Sequence, residues 1–235
     1  MTRPRAFNYF GSKVASAHKY PKPRYAQIIE PFAGGAGYSL LHWSNEVTLL
    51  DKNPEVIRGW RYLIETKPDD IRALPLLKPG QTISSLKIDD EAKVMMRWTT
   101  HMTTYGFDRL SNWGEIQAKE NLRGYWSAAR RESMAKIAWQ VKHWKAHIRS
   151  YEDFDNIEAT WYIDPPYMGL GKSYQYCDID YDHLAKWCRS RRGQVIVCER
   201  AGAEWLPFKP LYTMATMDAQ SGSRGQATEA MWTND

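Results

Sequence analysis

The stretch from Ala26 to Asp51 constrains the chain most. An apolar strand, Ala26 to Glu30, enters the turn Pro31-Phe32-Ala33-Gly34-Gly35-Ala36-Gly37; a helical stretch follows to about Trp43, and a second apolar run, Val47 to Leu50, ends at Asp51. Two strands joined through a helix lie parallel, because a tight hairpin cannot connect them, and the unit belongs to an α/β sheet. Ligands of such sheets gather at the carboxyl edge of the strands, where both the glycine turn and Asp51 fall. Glycines allow a close backbone approach to a ligand. Glu30 can accept a hydrogen bond from an ammonium group, and Asp51 is spaced to accept both hydroxyls of a ribose. A dinucleotide fingerprint starting at Gly35 would need glycine or alanine at position 40, which is Leu40. The nicotinamide reading therefore loses its third glycine, and a simple tight turn stays the alternative for this segment alone.

The remaining pattern sorts into two further blocks. From about 67 to 147, helical periodicity appears around Asp90 to Tyr105 and Tyr125 to His147, around a turn-prone stretch from Phe107 to Gly124, with no convincing strand. Beyond it, Trp161-Tyr162-Ile163 and Gln194 to Cys198 read as buried strands flanking a helix from Tyr181 to Arg191. Leu206 to Met217 and Ala227 to Thr233 read as a closing hairpin, and a short helix is expected near Ser12 to His18. No repeat or low-complexity tract interrupts this order.

Asp164-Pro165-Pro166-Tyr167 follows directly on the strand at 161–163. Paired prolines fix a rigid extended backbone. They leave the Pro165 carbonyl without a local donor and hold the Asp164 carboxylate beside it, so two acceptors converge on one spot. An exocyclic amino group carries the two matching hydrogens. Tyr167 offers a face on which a base can stack, worth about 1–3 kcal/mol. A strand-ending turn with a solvated Asp is the plainer alternative for the tetrapeptide alone.

Together these constellations resemble the Dam-like N6-adenine DNA methyltransferases, many of them from phages and bacteria. Tyr9-Phe10-Gly11-Ser12-Lys13 is similar to the family's first cofactor motif, whose lysine lies near the reacting centre. Glu30, Phe32, Ala33, Gly34, Gly35 and Gly37 resemble its cofactor loop, Asp51 its ribose-holding acid, and Asp153-Phe154 the pair that recognises the cofactor's adenine. Asp182-His183-Leu184, Arg224 and Glu229 to Asn234 follow its late pattern. The resemblance spans about 7–58 and 148–235, in the order of the family's alpha arrangement. It implies a Rossmann-like S-adenosylmethionine-dependent fold, a mixed sheet ending in a β-hairpin, with 1–60 and 148–235 as the catalytic domain. Residues 61–147 would be an inserted, mainly helical subdomain for target recognition. It further implies S-adenosylmethionine as cofactor, shared between Tyr9, Gly11, Lys13, the turn, Asp51, Asp153, Phe154 and Asp164, with catalysis at Asp164, Pro165, Pro166 and Tyr167. Double-stranded DNA is the implied partner, its adenine flipped from the stack at a cost of a few kcal/mol. His101 to Trp113 preserves little of the stretch with which GATC-reading relatives recognise their target.

Charge agrees with that partner. The whole chain of 235 residues carries +5, yet 119–149 alone carries +6, with eight basic residues against Glu120 and Glu132. Lys119, Arg123, Arg130, Arg131, Lys136, Lys142 and Lys145 are the expected phosphate contacts, interleaved with Tyr125, Trp126, Trp139 and Trp144. An apolar stripe at 134, 137, 138, 141 and 148 predicts that this helix packs inward and turns its cations outward; a merely solvated basic face is the alternative. His143 and His147 have ligand spacing but no third partner, and Cys177, Cys188 and Cys198 form neither a CxxC pair nor an even set, so no metal is expected. No apolar run approaches the roughly 18–20 residues of a membrane span. A cytoplasmic protein of a bacterial or phage-infected cell, monomeric or weakly dimeric, is the expectation. N4-cytosine and RNA N6-adenine methylation share the chemistry, and a DNA-binding protein with a vestigial cofactor site is an alternative of another class. Intact Gly34, Gly37, Asp51 and Asp164 argue against decay, and an acid at 164, where the cytosine enzymes more often have Ser, favours adenine by resemblance.

Overall fold

A computed structural model describes residues 4–78, 81–100, 126–169, 176–217 and 224–234. Five parallel strands form the body of one sheet: β1 (Gln27–Glu30), β2 (Glu46–Asp51), β3 (Lys145–Ile148), β4 (Ala159–Ile163) and β5 (Gly193–Arg200). The hairpin of β6 (Lys209–Met217) and β7 (Arg224–Thr233) completes it, β7 lying antiparallel between β5 and β6. The spatial order is β3-β2-β1-β4-β5-β7-β6. This is the expected Rossmann-like α/β arrangement, a mixed sheet ending in a β-hairpin. Strand order reverses between β1 and β4, so the crevice beyond their carboxyl ends is where such a sheet takes a ligand.

Continuous apolar runs make the central strands because both faces of the sheet are covered. Along β4, Trp161 and Ile163 enter one core with Leu184, Trp187 and Trp205, while Tyr162 enters the other with Ile28, Leu49 and Trp60. Among the described residues six helices accompany the sheet: α1 (Gly37–Leu41), α2 (Pro54–Glu65), α3 (Pro68–Ala73), α4 (Asp90–Thr100), α5 (Ala128–Gln140) and α6 (Tyr181–Ser190). Asn53 caps α2 by accepting from Glu55 N, with Pro54 at the first helical position, where its missing N–H costs nothing. Asp180 caps α6 in the same way through His183 N. The short helix expected near Ser12 is two 3-10 turns, Lys13–Ala15 and Ala17–Lys19.

Residues 126–147 do not form the one helix that the sequence pattern predicts. The helix there runs only from Ala128 to Gln140, and the chain then turns into β3. Lys145 and His147 consequently sit on an edge strand paired with Thr48 and Leu50 of β2, not on a helix face. Met134, Ile137, Ala138 and Val141 of the predicted stripe are buried, but Ile148 is exposed in the strand. The helix α3 was not expected, being only six residues with one buried apolar group. Among the described residues, no helix is long and apolar enough to cross a membrane.

Candidate active site

Three strand ends and the segment 9–13 converge at the crevice. Glu30 closes β1, Asp51 closes β2 and Asp164 follows β4 directly. Gly34 and Ala36 both take left-handed backbone, with φ of +43° each, which folds the glycine turn back so that Ala36 N donates to Ala33 O at 2.7 Å. Alanine in that region costs about 1–2 kcal/mol, held here by the surrounding fold. The Asp51 carboxylate supports the turn, accepting from Gly34 N at 3.0 Å and from Asn53 N at 2.8 Å, and keeps free acceptor capacity on both oxygens. Burial raises its pKa to about 6 against those two bonds. Burial also raises Glu30 to about 8, although Ser39 N donates to it at 2.7 Å.

What lies against the glycines is the chain itself. A Cβ at Gly34 would meet the Tyr9 ring at 2.8 Å, and one at Gly37 would meet Val14 N at 2.5 Å. The turn is glycine-rich partly so that 9–14 can pack onto it, a reason beyond approach to a cofactor.

Lys13 is the hub. Its buried ammonium donates to Asp164 Oδ1 at 2.8 Å, to Oδ2 at 3.0 Å and to Gly11 O at 3.1 Å, and stands 3.6 Å from Glu229 Oε1. Burial alone would lower its pKa, but Asp164 and Glu229 hold it well above the ordinary lysine value. Asp164 is itself raised by burial, with Lys13 opposing. The ammonium also lies 4.7 Å from the centre of the Tyr167 ring, so one face of that ring carries a cation. Glu229 Oε1 accepts from the Tyr20 hydroxyl at 2.7 Å and from the Tyr167 hydroxyl. Glu199, fully buried, gathers Met168 N, Trp205 Nε1 and Arg200 N. Tyr181 donates to Pro166 O at 2.6 Å, which fixes the turn one residue beyond the expected Pro165 acceptor.

Two openings meet at this hub. One cavity, of about 340 Å³, is lined by Tyr9, Phe32, Gly34, Asp51, Tyr151 and Asp164, together with 176–179. A wider groove, of about 640 Å³, lies between 5–19 and the β6–β7 hairpin and includes Lys13, Tyr167 and Glu229. A narrow space of about 30 Å³ beside Tyr9, Lys13, Glu30, Ala33, Gly35, Gly37 and Asp164 lies between the turn and the hub.

Most residues expected at a cofactor site come together here, but Asp153 and Phe154 do not line either opening. Asp153 ends a 3-10 turn in solvent, and Phe154 packs edge-on against Trp161. Tyr151 occupies the corresponding wall, its ring 5.4 Å from that of Phe32. The expected phosphate contacts divide. Arg130 is a correction: its guanidinium is buried and donates to Arg5 O at 2.8 Å and Ala6 O at 2.6 Å. Arg131 likewise donates to Leu74 O and Lys142 to Glu65 O, whereas Lys136 and Lys145 are simply exposed. Trp126 and Trp144 are buried with their indole N–H groups on Pro75 O and Trp43 O, leaving Trp139 exposed. Lys119, Arg123 and Tyr125 lie outside the described residues. His143 bonds to Asn45 O in the turn before β3, apart from His147 on the strand, so the pair has lost its helical spacing. Among the described residues no group of three metal-binding side chains occurs. Tyr20, Tyr151, Tyr181 and Glu199 were not singled out as site residues, because nothing local marks a residue whose partner is distant in sequence.

No known protein family matches the chain by sequence. No curated protein matches it either. A solved structure of a provisionally named methylase from Haemophilus influenzae is similar at 12% identity and a TM-score of 0.36, covering 94% of this chain and 83% of that one. At that distance nothing of its activity transfers.

Proposed function

We propose that the chain is an S-adenosylmethionine-dependent methyltransferase acting on the exocyclic N6 of adenine in DNA. One observation carries the reading: Asp164, at the carboxyl end of β4, lines a small-ligand-sized cavity while its carboxylate holds the buried ammonium of Lys13, which lines the wider groove. The cavity suits the cofactor. Asp51 presents free acceptor positions for a ribose, Phe32 and Tyr151 offer aromatic surface, and Glu30 can accept from an ammonium. The Ser12 hydroxyl beside Glu30 is buried without a hydrogen-bond partner among the described residues, a donor available to a carboxylate. When bound, S-adenosylmethionine supplies an electrophilic methyl on a sulfonium.

The chain's own groups act on the nucleophile. Asp164 accepts a hydrogen of the adenine amine, and the Pro165 carbonyl takes the second. These bonds favour a pyramidal nitrogen whose lone pair takes the methyl as its bond to sulfur breaks and a neutral thioether leaves, the surplus proton of the amine passing to the Asp164 carboxylate; orientation supplies much of the acceleration. Tyr167, its hydroxyl fixed by Glu229, provides the stacking surface. Lys13 must yield part of its hold on Asp164 as the amine arrives, and Glu229 remains to retain the ammonium.

The test is incubation with methyl-labelled S-adenosylmethionine and unmodified duplex DNA, followed by digestion to nucleosides and mass spectrometry. Label on N6-methyldeoxyadenosine supports the reading. Label on N4-methyldeoxycytidine, or on RNA but not DNA, overturns the substrate, and tight cofactor binding without transfer to any nucleic acid overturns the activity.

A further inference from the structure

We infer that the groove between 5–19 and the β6–β7 hairpin is a cradle for the DNA strand flanking the extruded adenine, with Lys19 and Arg200 as its phosphate contacts. The inference rests on the proposed reaction for the identity of the strand, but its geometry stands apart from it. Four cations, Arg5, Lys13, Lys19 and Arg200, line the groove against one acid, Glu229. Lys13 is neutralised by Asp164 and Glu229, which leaves Arg5, Lys19 and Arg200 without an ion pair among the described residues along the opening. Lys19 and Arg200 are exposed, and they come from separate elements, one from the second 3-10 turn and one from the end of β5.

Aromatic surface is interleaved with those charges. Phe10 is 41% exposed at the groove, and the Tyr212 ring lies 4.0 Å below the Lys19 ammonium. Cations that follow a backbone and rings on which bases rest are what a single strand requires. The groove also borders Tyr167, on the side of the hub away from the glycine turn, so a nucleotide drawn out of its duplex would keep its neighbours there. Much of the described part of the helical segment is otherwise engaged, since Arg130, Arg131 and Lys142 are bound to backbone carbonyls.

The experiment compares two double variants, K19A/R200A and the charge-keeping K19R/R200K. Binding of a short fluorescein-labelled single-stranded deoxyoligonucleotide is followed by anisotropy across a salt series, and cofactor affinity is measured in parallel. With two phosphate contacts removed, the slope of log affinity against log salt should shrink by about 1.4 in K19A/R200A, while K19R/R200K retains it. Equal slopes in wild type and K19A/R200A overturn the inference, as does equal weakening in both double variants, which would mark a structural effect. Tighter binding of an RNA of the same sequence through these two residues overturns the assignment to DNA. Loss of slope in a protein that transfers no methyl to adenine keeps the cradle and fails the proposed reaction; transfer with an unchanged slope does the reverse.

Discussion

Lys13 and Asp164, 151 residues apart in sequence, meet at 2.8 and 3.0 Å through both carboxylate oxygens, Asp164 lining the small cavity and Lys13 the wider groove. The pair brings the first turn of the described chain onto the end of β4. It also spends acceptor capacity that the proposed reaction needs, so the amine of the target competes with an ammonium for the same carboxylate.

Replacing Asp164 with Asn keeps the shape and removes the charge. Methyl transfer should fall by at least about 10²–10³-fold, the range seen when one polar group that stabilises a transition state is lost, while cofactor affinity changes little. The buried Lys13 ammonium loses its main partner, so the melting temperature should drop, with a cost near 3 kcal/mol. Loss of cofactor binding with preserved turnover would contradict the assigned roles.

Cofactor affinity should depend on pH through Asp51, whose burial raises it to about 6. The ionised form accepts on both oxygens and the protonated form does not, so affinity should rise as pH increases through about 6 and weaken roughly tenfold per unit below it. Isothermal titration between pH 5 and 8, with Asp51→Asn as the flat control, checks this. On stability the same burial has the opposite sign. The folded state holds this proton more tightly than the unfolded chain, so the benefit is complete below the ordinary value of 3.8 and lost as pH passes about 6.

Gly37→Ala should damage the site through the backbone it displaces. Its Cβ would meet backbone atoms, Val14 N at 2.5 Å and the Lys13 carbonyl carbon at 2.8 Å, and backbone cannot rotate aside. A destabilisation of about 1–3 kcal/mol in denaturant unfolding is expected, together with weaker methyl transfer as Lys13 shifts. Wild-type stability would refute the close approach.

Arg130→Ala should behave as a folding variant. It strips the carbonyls of Arg5 and Ala6 of their donor, a loss of about 1.5–3 kcal/mol, but the salt slope of DNA binding should stay as in wild type. A smaller slope with unchanged stability would return Arg130 to the phosphate contacts.

Cys177 is the exposed thiol and lines the cavity, whereas Cys188 and Cys198 are buried. Iodoacetamide should label Cys177 first, and S-adenosylmethionine should slow that labelling, as read by peptide mass spectrometry. Labelling indifferent to the cofactor would place it elsewhere.

The sheet and its chemistry were legible where pattern and position coincide. Ala26 to Glu30 and Trp161 to Ile163 are apolar runs bounded by turn residues, and each strand end then names a site residue, Glu30 or Asp164. The strand β3 was not legible because only Ala146 of its four residues is buried, and a helical stripe runs directly into it. Charge counting placed eight cations on 119–149 but says nothing of direction, so the inward turn of Arg130 toward Ala6 was invisible. Resemblance puts Asp153-Phe154 at the cofactor, but Tyr151 rather than this pair lines the small cavity, Phe154 packing on Trp161 instead. Glu199 and Glu229 earn their place through partners that no local spacing predicts.

The insertion of β7 between β5 and β6 has a consequence in the order of synthesis. Glu229, which fixes Tyr167 and neighbours Lys13, is among the last described residues to leave the ribosome, long after both of its partners. A nascent chain halted after β5 would hold Asp51 and Asp164 on finished parallel strands, yet lack one wall of the groove and the carboxylate that orients the stacking ring. A product terminated after β5 would thus keep the parallel strands but lack the Glu229 carboxylate that holds the Tyr167 hydroxyl and neighbours Lys13.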